Sequence, residues 1–161
     1  MIWYHVKMVL QFQINWSIPK TPVAAIDLSG DLAAIDVCAA IPKENIEAVM
    51  GRKLVGAPQR FEYYDASGTS GFSYDAGKDS SGAAYFGYVV FTPMEVYNQQ
   101  PLYNNTDVSG LGQRAYFNNG ADARQLWVQV DDQVAFVVAF GDEPREAEAR
   151  SIAKLVLAAI K

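Results

Sequence analysis

The chain opens with MIWYHVKMVLQFQINWS, in which apolar and polar positions alternate. Ile2, Tyr4, Val6, Met8, Leu10, Phe12, Ile14 and Trp16 occupy even positions, and His5, Lys7, Gln11, Gln13 and Asn15 occupy odd ones. A period of two gives a β-strand one apolar and one wet face. The polar residues interrupt the run of about 20 apolar residues that a membrane helix needs. No secretion signal is clear, because none of its basic start, unbroken apolar middle and small-residue cleavage site stands out. Ser17, Pro19 and Pro22 end the pattern, since proline cannot donate to a strand ladder. Strands usually run about 5–6 residues, so this one is long enough to overhang a small sheet. An unpaired overhang invites pairing with another chain. Two expectations stay open: the strand curls round its own sheet, or Tyr4, Val6, Met8, Leu10, Phe12, Ile14 and Trp16 form an assembly strand between copies.

Residues 1–22 therefore read as an arm and residues 23–161 as a single domain. Residues 23–30 read as a linker or short strand. Ser29 or Asp31 can cap a helix over DLAAIDVCAAI, with Leu32, Ile35 and Cys38/Ala39 on one face. Pro42 stops it and starts PKENIEAVMG, striped by Ile46, Val49 and Met50 and closed by Gly51. QRFEYYD and GFSYDAG then read as strands joined by Ala-Ser-Gly-Thr-Ser. AAYFGYVVF is apolar on both faces, as a central strand is, and Pro93 ends it. Residues 94–112 look irregular, with a short helical turn at their start. QRAYFNN follows as a strand, and RQLWVQV and QVAFVVAF form a hairpin about Asp131-Asp132, with Leu126, Val128 and Val130 facing Val134, Phe136 and Val138. A last helix runs from about Glu143, its apolar face made by Ala149, Ile152, Ala153, Val156 and Ile160. Strands in a block with helices at either end predict an α+β fold. The expected form is an antiparallel sheet of about five to six strands. Two N-terminal helices and one C-terminal helix pack on one face, and the other face stays partly open.

Charge narrows the partners. The net charge is −5, and residues 1–22 hold two lysines and no acid, which leaves −7 on the rest. An acidic body argues against nucleic acid, which needs a basic face, and against anionic membranes. One cysteine permits no internal disulfide.

No catalytic or metal constellation emerges, and no cofactor is expected. His5, the only histidine, lies on the polar side of the first strand, so a Ser-His-Asp triad would have to recruit it. Cys38 has helical apolar spacing and reads as a buried, inert thiol. The nearby Asp36 opposes its activation as a nucleophile, and a disulfide between chains stays open. Asp27, Ser29 and Asp31 around Gly30 begin like a calcium loop but lack its twelve-residue ligand set, so a helix cap is the simpler reading. SGLG at 109–112 runs into a strand with no following Lys-Ser/Thr, which makes it a turn rather than a phosphate loop. Asp131-Asp132 sit at an exposed turn, where acid–base tuning is not expected. The aromatics form the most interesting set. Tyr63, Tyr85, Tyr88, Tyr97, Tyr103 and Trp127 are candidates for a ligand or partner surface, since tyrosine joins an apolar body to a polar tip. Half-buried sheet packing is the plain alternative.

One resemblance extends this picture. Gly110, Leu111, Gly112, Ala115, Tyr116 and Phe117 make a Gly-Leu-Gly turn into an aromatic strand. Asp36, Cys38, Ile46, Met50 and Gly51 supply an earlier match. Over about residues 31–161 the chain resembles small actinobacterial-type envelope lipoprotein domains. Those domains pair their early cysteine with a second one in a Gly-Cys-x-Tyr/Trp strand. Here that place reads Gly71-Phe72-Ser73-Tyr74, so the resemblance puts Phe72 at the partner position and leaves Cys38 unpaired. The lipid-attachment cysteine is also missing. The resemblance implies a cell-envelope or extracellular location. The expected function is a non-enzymatic binding or assembly module that takes a protein partner or forms a homo-oligomer through its first strand. The alternative is a pocket protein for a small apolar ligand or a glycan.

Overall fold

The computed structural model describes residues 25–61, 70–99, 105–119, 125–140 and 145–160. The opening strand, Tyr63, Tyr64, Tyr103 and the start expected for the last helix lie outside them. The fold is α+β, as the order of elements predicts. Among the described residues it has seven antiparallel strands, somewhat more than expected, and four helices.

The helical segment after residue 30 divides in two. Asp31 accepts from the Ala33 N–H at 2.9 Å and caps a 3-10 turn over Leu32–Ala34. Asp36 accepts from the Ala39 N–H at 3.0 Å and caps α1, Val37–Ala40. One continuous helix was the expectation, but each short acid takes backbone donors and restarts the chain. Helix α2, Lys43–Met50, follows Pro42 and ends at Gly51, whose φ of 66° suits glycine.

Strands β1 (Gln59–Phe61), β2 (Ser70–Lys78) and β3 (Ala84–Pro93) come next. Helix α3, Met94–Gln99, occupies the place where a short helical turn was expected. Strands β4 (Thr106–Val108), β5 (Arg114–Asn118), β6 (Gln125–Gln129) and β7 (Val134–Phe140) precede helix α4, Glu146–Ala159. The spatial order is β1-β2-β3-β7-β6-β5-β4. β7 is therefore the middle strand, and all seven of its residues are buried, as an all-apolar run between two covered faces requires.

The pairing of Val128 with Phe136 and Leu126 with Val138 matches the expected hairpin register. The first sheet face carries Phe72, Val89, Phe91, Phe117, Leu126, Val128, Phe136 and Val138. Helices α1, α2 and α4 pack there and add Val37, Ile46, Ile152, Ala153 and Val156. Ile26 closes the base through its N–H to the Ala159 carbonyl at 2.7 Å. Among the described residues, no helix is long and apolar enough to cross a membrane.

Candidate functional site

The opposite sheet face is built differently. Pairing through the sheet sets Val90, Val137, Trp127, Tyr116 and Asp107 in one row. The next row runs Ser73, Tyr88, Ala139, Gln125 and Asn118. Two tight turns hold this register. The Asp131 carboxylate accepts from the N–H groups of Gln133 at 2.7 Å and Val134 at 2.8 Å, which pins the β6–β7 turn. Gly112 stands before β5 with φ 57°, and a Cβ there would lie 2.2 Å from the Gln129 carbonyl oxygen. Only glycine lets these backbones approach so closely. The N–H of Met94 donates to the Gln133 carbonyl at 2.9 Å, tying the start of α3 to the same turn.

Helix α3 thereby lays Tyr97 over the aromatic row. The Tyr97 ring is 5.4 Å from Tyr116 and 6.1 Å from Trp127, tilted by 60° and 67°, favourable geometries for aromatic pairs. Tyr97 and Trp127 are each 5% exposed and Tyr116 is 1% exposed. Among the described residues, the Tyr97 and Tyr116 hydroxyls are both buried with no hydrogen-bond partner. Burial raises both phenol pKa values above the ordinary value, that of Tyr116 to about 12, and the Arg114 guanidinium works in the opposite direction.

Away from α3 the face opens. The indole N–H of Trp127 donates to the side-chain Oε1 of Gln125 at 3.1 Å, and the Gln125 Nε2 donates to the Tyr88 hydroxyl at 3.5 Å. Tyr88 is half-buried. Two residues earlier on the same side of β3, Phe86 is 40% exposed. An aromatic shelf thus ends in a line of amide and hydroxyl groups, with exposed Asp75 paired opposite Phe86 and half-buried Ser73 opposite Tyr88.

The structure brings together Tyr88, Tyr97 and Trp127 from the candidate set. It places Tyr85 on the helix-covered face. There the guanidinium groups of Arg145 and Arg52 lie 3.6 and 4.6 Å from the Tyr85 ring centre. The Tyr85 hydroxyl donates to Glu148 Oε1 at 3.2 Å, and Arg145 bridges to Asp79 at 3.2 Å. Tyr85 is thus a clamp between the β2–β3 turn, α2 and α4. Tyr63 and Tyr103, and the assembly set of Tyr4, Val6, Met8, Leu10, Phe12, Ile14 and Trp16, lie outside the described residues. Phe86, Tyr116 and Gln125 join the site without having been singled out for it. Tyr116 could have been found by pairing the strand after the Gly-Leu-Gly turn with the Trp127 strand, and Phe86 by counting two residues back from Tyr88.

The remaining candidates resolve into local structure. Asp27 accepts from Ser29 at 2.9 and 2.7 Å in a turn. SGLG is a turn with Gly110 and Gly112 at positive φ. Cys38 is a free, half-buried thiol. Burial first, and then Asp36, raise its pKa against Arg60, which keeps it protonated. A groove of about 380 Å³ between residues 25–31 and α1 is lined by Ile26, Ile35, Ala34 and Ala40, with Asp27, Asp31 and Asp36 beside them. Those three carboxylates already accept backbone N–H groups in turns and caps. Among the described residues no three His, Cys, Asp or Glu side chains come together as a metal site. No family model, curated protein or solved structure matches the chain.

Proposed function

We propose that this chain is a non-enzymatic, extracytoplasmic binding module, and that the second face of its sheet, at Phe86, Tyr88 and Gln125, is where it binds. The observation that carries this reading is the run from the 40% exposed Phe86 ring through Tyr88 to the Gln125 amide, backed by Trp127. Aromatic rings offer flat apolar area, and the amide and hydroxyl groups beside them offer both donors and acceptors. A saccharide has that composition: apolar ring faces and a hydroxylated edge. The glycan form of the pocket expectation is therefore favoured over a wholly apolar ligand. The extracytoplasmic location rests on the resemblance over residues 31–161.

The test is an oligosaccharide array probed with the wild-type chain and with Phe86→Ala and Gln125→Ala. Binding to a defined saccharide that either substitution weakens by at least about tenfold, which is roughly 1.4 kcal/mol, supports the reading. Absence of saccharide binding, or binding indifferent to both substitutions, removes it.

Assembly through residues 2–16 is a second reading, carried by their alternation. Native mass spectrometry of the chain with and without residues 1–20 tests it. A multimer that becomes a monomer on truncation supports it, and an unchanged assembly state refutes it.

A further inference from the structure

The covered half of the same face carries a second inference, which does not depend on the saccharide reading. Helix α3 has six residues, and only Tyr97 among them is buried. So short a helix has little stability of its own, and Tyr97 is its anchor. The Tyr97 ring fills a slot whose walls are Tyr116 and Trp127 and whose floor includes Val90, Ala135 and Val137. As an occupant of that slot it is poorly matched. The ring packs well, yet its own hydroxyl and that of Tyr116 are buried without partners among the described residues, and an unmade buried hydrogen bond is costly.

We infer that Tyr97 is a tethered plug in a binding slot, and that the slot takes a single-ring aromatic ligand bearing an acceptor oxygen. On ligand entry α3 swings away about its tie at Met94, the guest ring replaces the Tyr97 ring against Trp127, and its oxygen accepts from the Tyr116 hydroxyl. Released to solvent, the Tyr97 hydroxyl regains water. Each change pairs a group that is orphaned in the closed form. No covalent bond forms or breaks; the exchange involves packing and hydrogen bonds alone.

Benzamide is a suitable probe, with toluene as the ring lacking an acceptor. Both are titrated into the full wild-type chain, Tyr97→Ala and Tyr116→Phe, following the Trp127 indole N–H and the α3 amide signals by NMR. Wild type is expected to bind benzamide in preference to toluene, with the α3 signals shifting as Tyr97 leaves. Removing the plug is expected to tighten benzamide binding by about tenfold or more, because a slot occupied by its own side chain is only fractionally competent. Tyr116→Phe is expected to erase the preference for benzamide. No benzamide binding by wild type, or equal affinity for toluene, overturns the proposal. Should Tyr97→Ala fail to fold, Tyr97→Phe keeps the proposal exposed. Loss of an orphaned hydroxyl is expected to raise the unfolding midpoint, and a lowered midpoint would mean that the hydroxyl is paired, which overturns it.

Discussion

Replacing Tyr85 separates the two faces of the sheet. Tyr85→Phe keeps the ring and removes the hydroxyl that donates to Glu148 at 3.2 Å. A hydrogen bond to a charged group contributes about 1.5–3 kcal/mol, and the partial exposure of Glu148 places this one near the lower bound. Tyr85→Leu also removes the ring over which Arg145 and Arg52 lie at 3.6 and 4.6 Å. A largely desolvated cation–π contact such as that of Arg145 is worth about 1–2 kcal/mol, and the longer Arg52 contact about 0.5 kcal/mol. The edge-on contact with Phe140, at 6.1 Å and 81°, adds about 0.5–1 kcal/mol. The expected cost is about 1.5 kcal/mol for Tyr85→Phe and about 4 kcal/mol for Tyr85→Leu, allowing for partial overlap between the terms. Urea unfolding followed by circular dichroism reads both, since a slope of about 1–3 kcal/mol per molar turns the larger loss into a midpoint shift of more than about 1 M. Ligand binding at Phe86, Tyr88 and Gln125 is expected to survive in the folded fraction. A Tyr85→Leu chain as stable as wild type, or one whose folded fraction no longer binds, would refute the assignment of Tyr85 as a clamp.

Other outcomes follow from single contacts. Gly112→Ala forces a Cβ to 2.2 Å from the Gln129 carbonyl at φ 57°. The expected loss is about 2 kcal/mol or more in thermal or urea unfolding, and a neutral result would contradict the close approach of the β5 turn to β6. Glu47 is a buried residue of α2, and its carboxylate accepts from Lys53 Nζ at 2.8 Å and the Leu54 N–H at 2.9 Å. The Lys53 hydrogen bond first, and then that of Leu54, hold its pKa below the ordinary carboxylate value. Its stabilisation is therefore complete above the unfolded-state pKa and is lost as pH falls through the lower folded-state value. Glu47→Gln should flatten the acid limb of stability against pH, and an unchanged limb would refute this. Burial raises the phenol pKa values of Tyr74, Tyr85, Tyr97 and Tyr116. Above the unfolded-state value of about 10, the unfolded chain releases protons that the folded chain keeps, so stability falls as pH rises. Spectrophotometric titration should show tyrosines ionising together with unfolding, and ordinary ionisation of all nine in the folded chain would contradict their burial.

Much of the fold could be read from local patterns because those patterns agree with their neighbours. The β6–β7 hairpin was legible because Asp131-Asp132 interrupt two apolar runs, and the Asp131 carboxylate does hold the turn. Helix α2 was legible from Pro42, the Ile46/Val49/Met50 stripe and Gly51. The division of residues 31–41 was not legible, because one periodic stripe spans it while Asp31 and Asp36 act as two separate caps. Side assignment was the weaker part of the site reading. Tyr85 and Tyr88 differ by an odd number of residues on one strand, so they point to opposite faces, yet composition alone grouped them. The closeness of Tyr97 to Trp127 depends on the Met94 tie to the β6–β7 turn, a long-range contact that no local pattern announces.

The central claim concerns which face binds. Its most direct test is an NMR titration of the full chain with the saccharide retained most strongly on the array, mapped onto assigned amide signals. Shifts gathered at Phe86, Tyr88, Gln125 and the Trp127 indole, with α2 and α4 silent, are the predicted result. Shifts gathered on α2 and α4 with the second face silent would contradict the claim, as would an array that retains no saccharide at all.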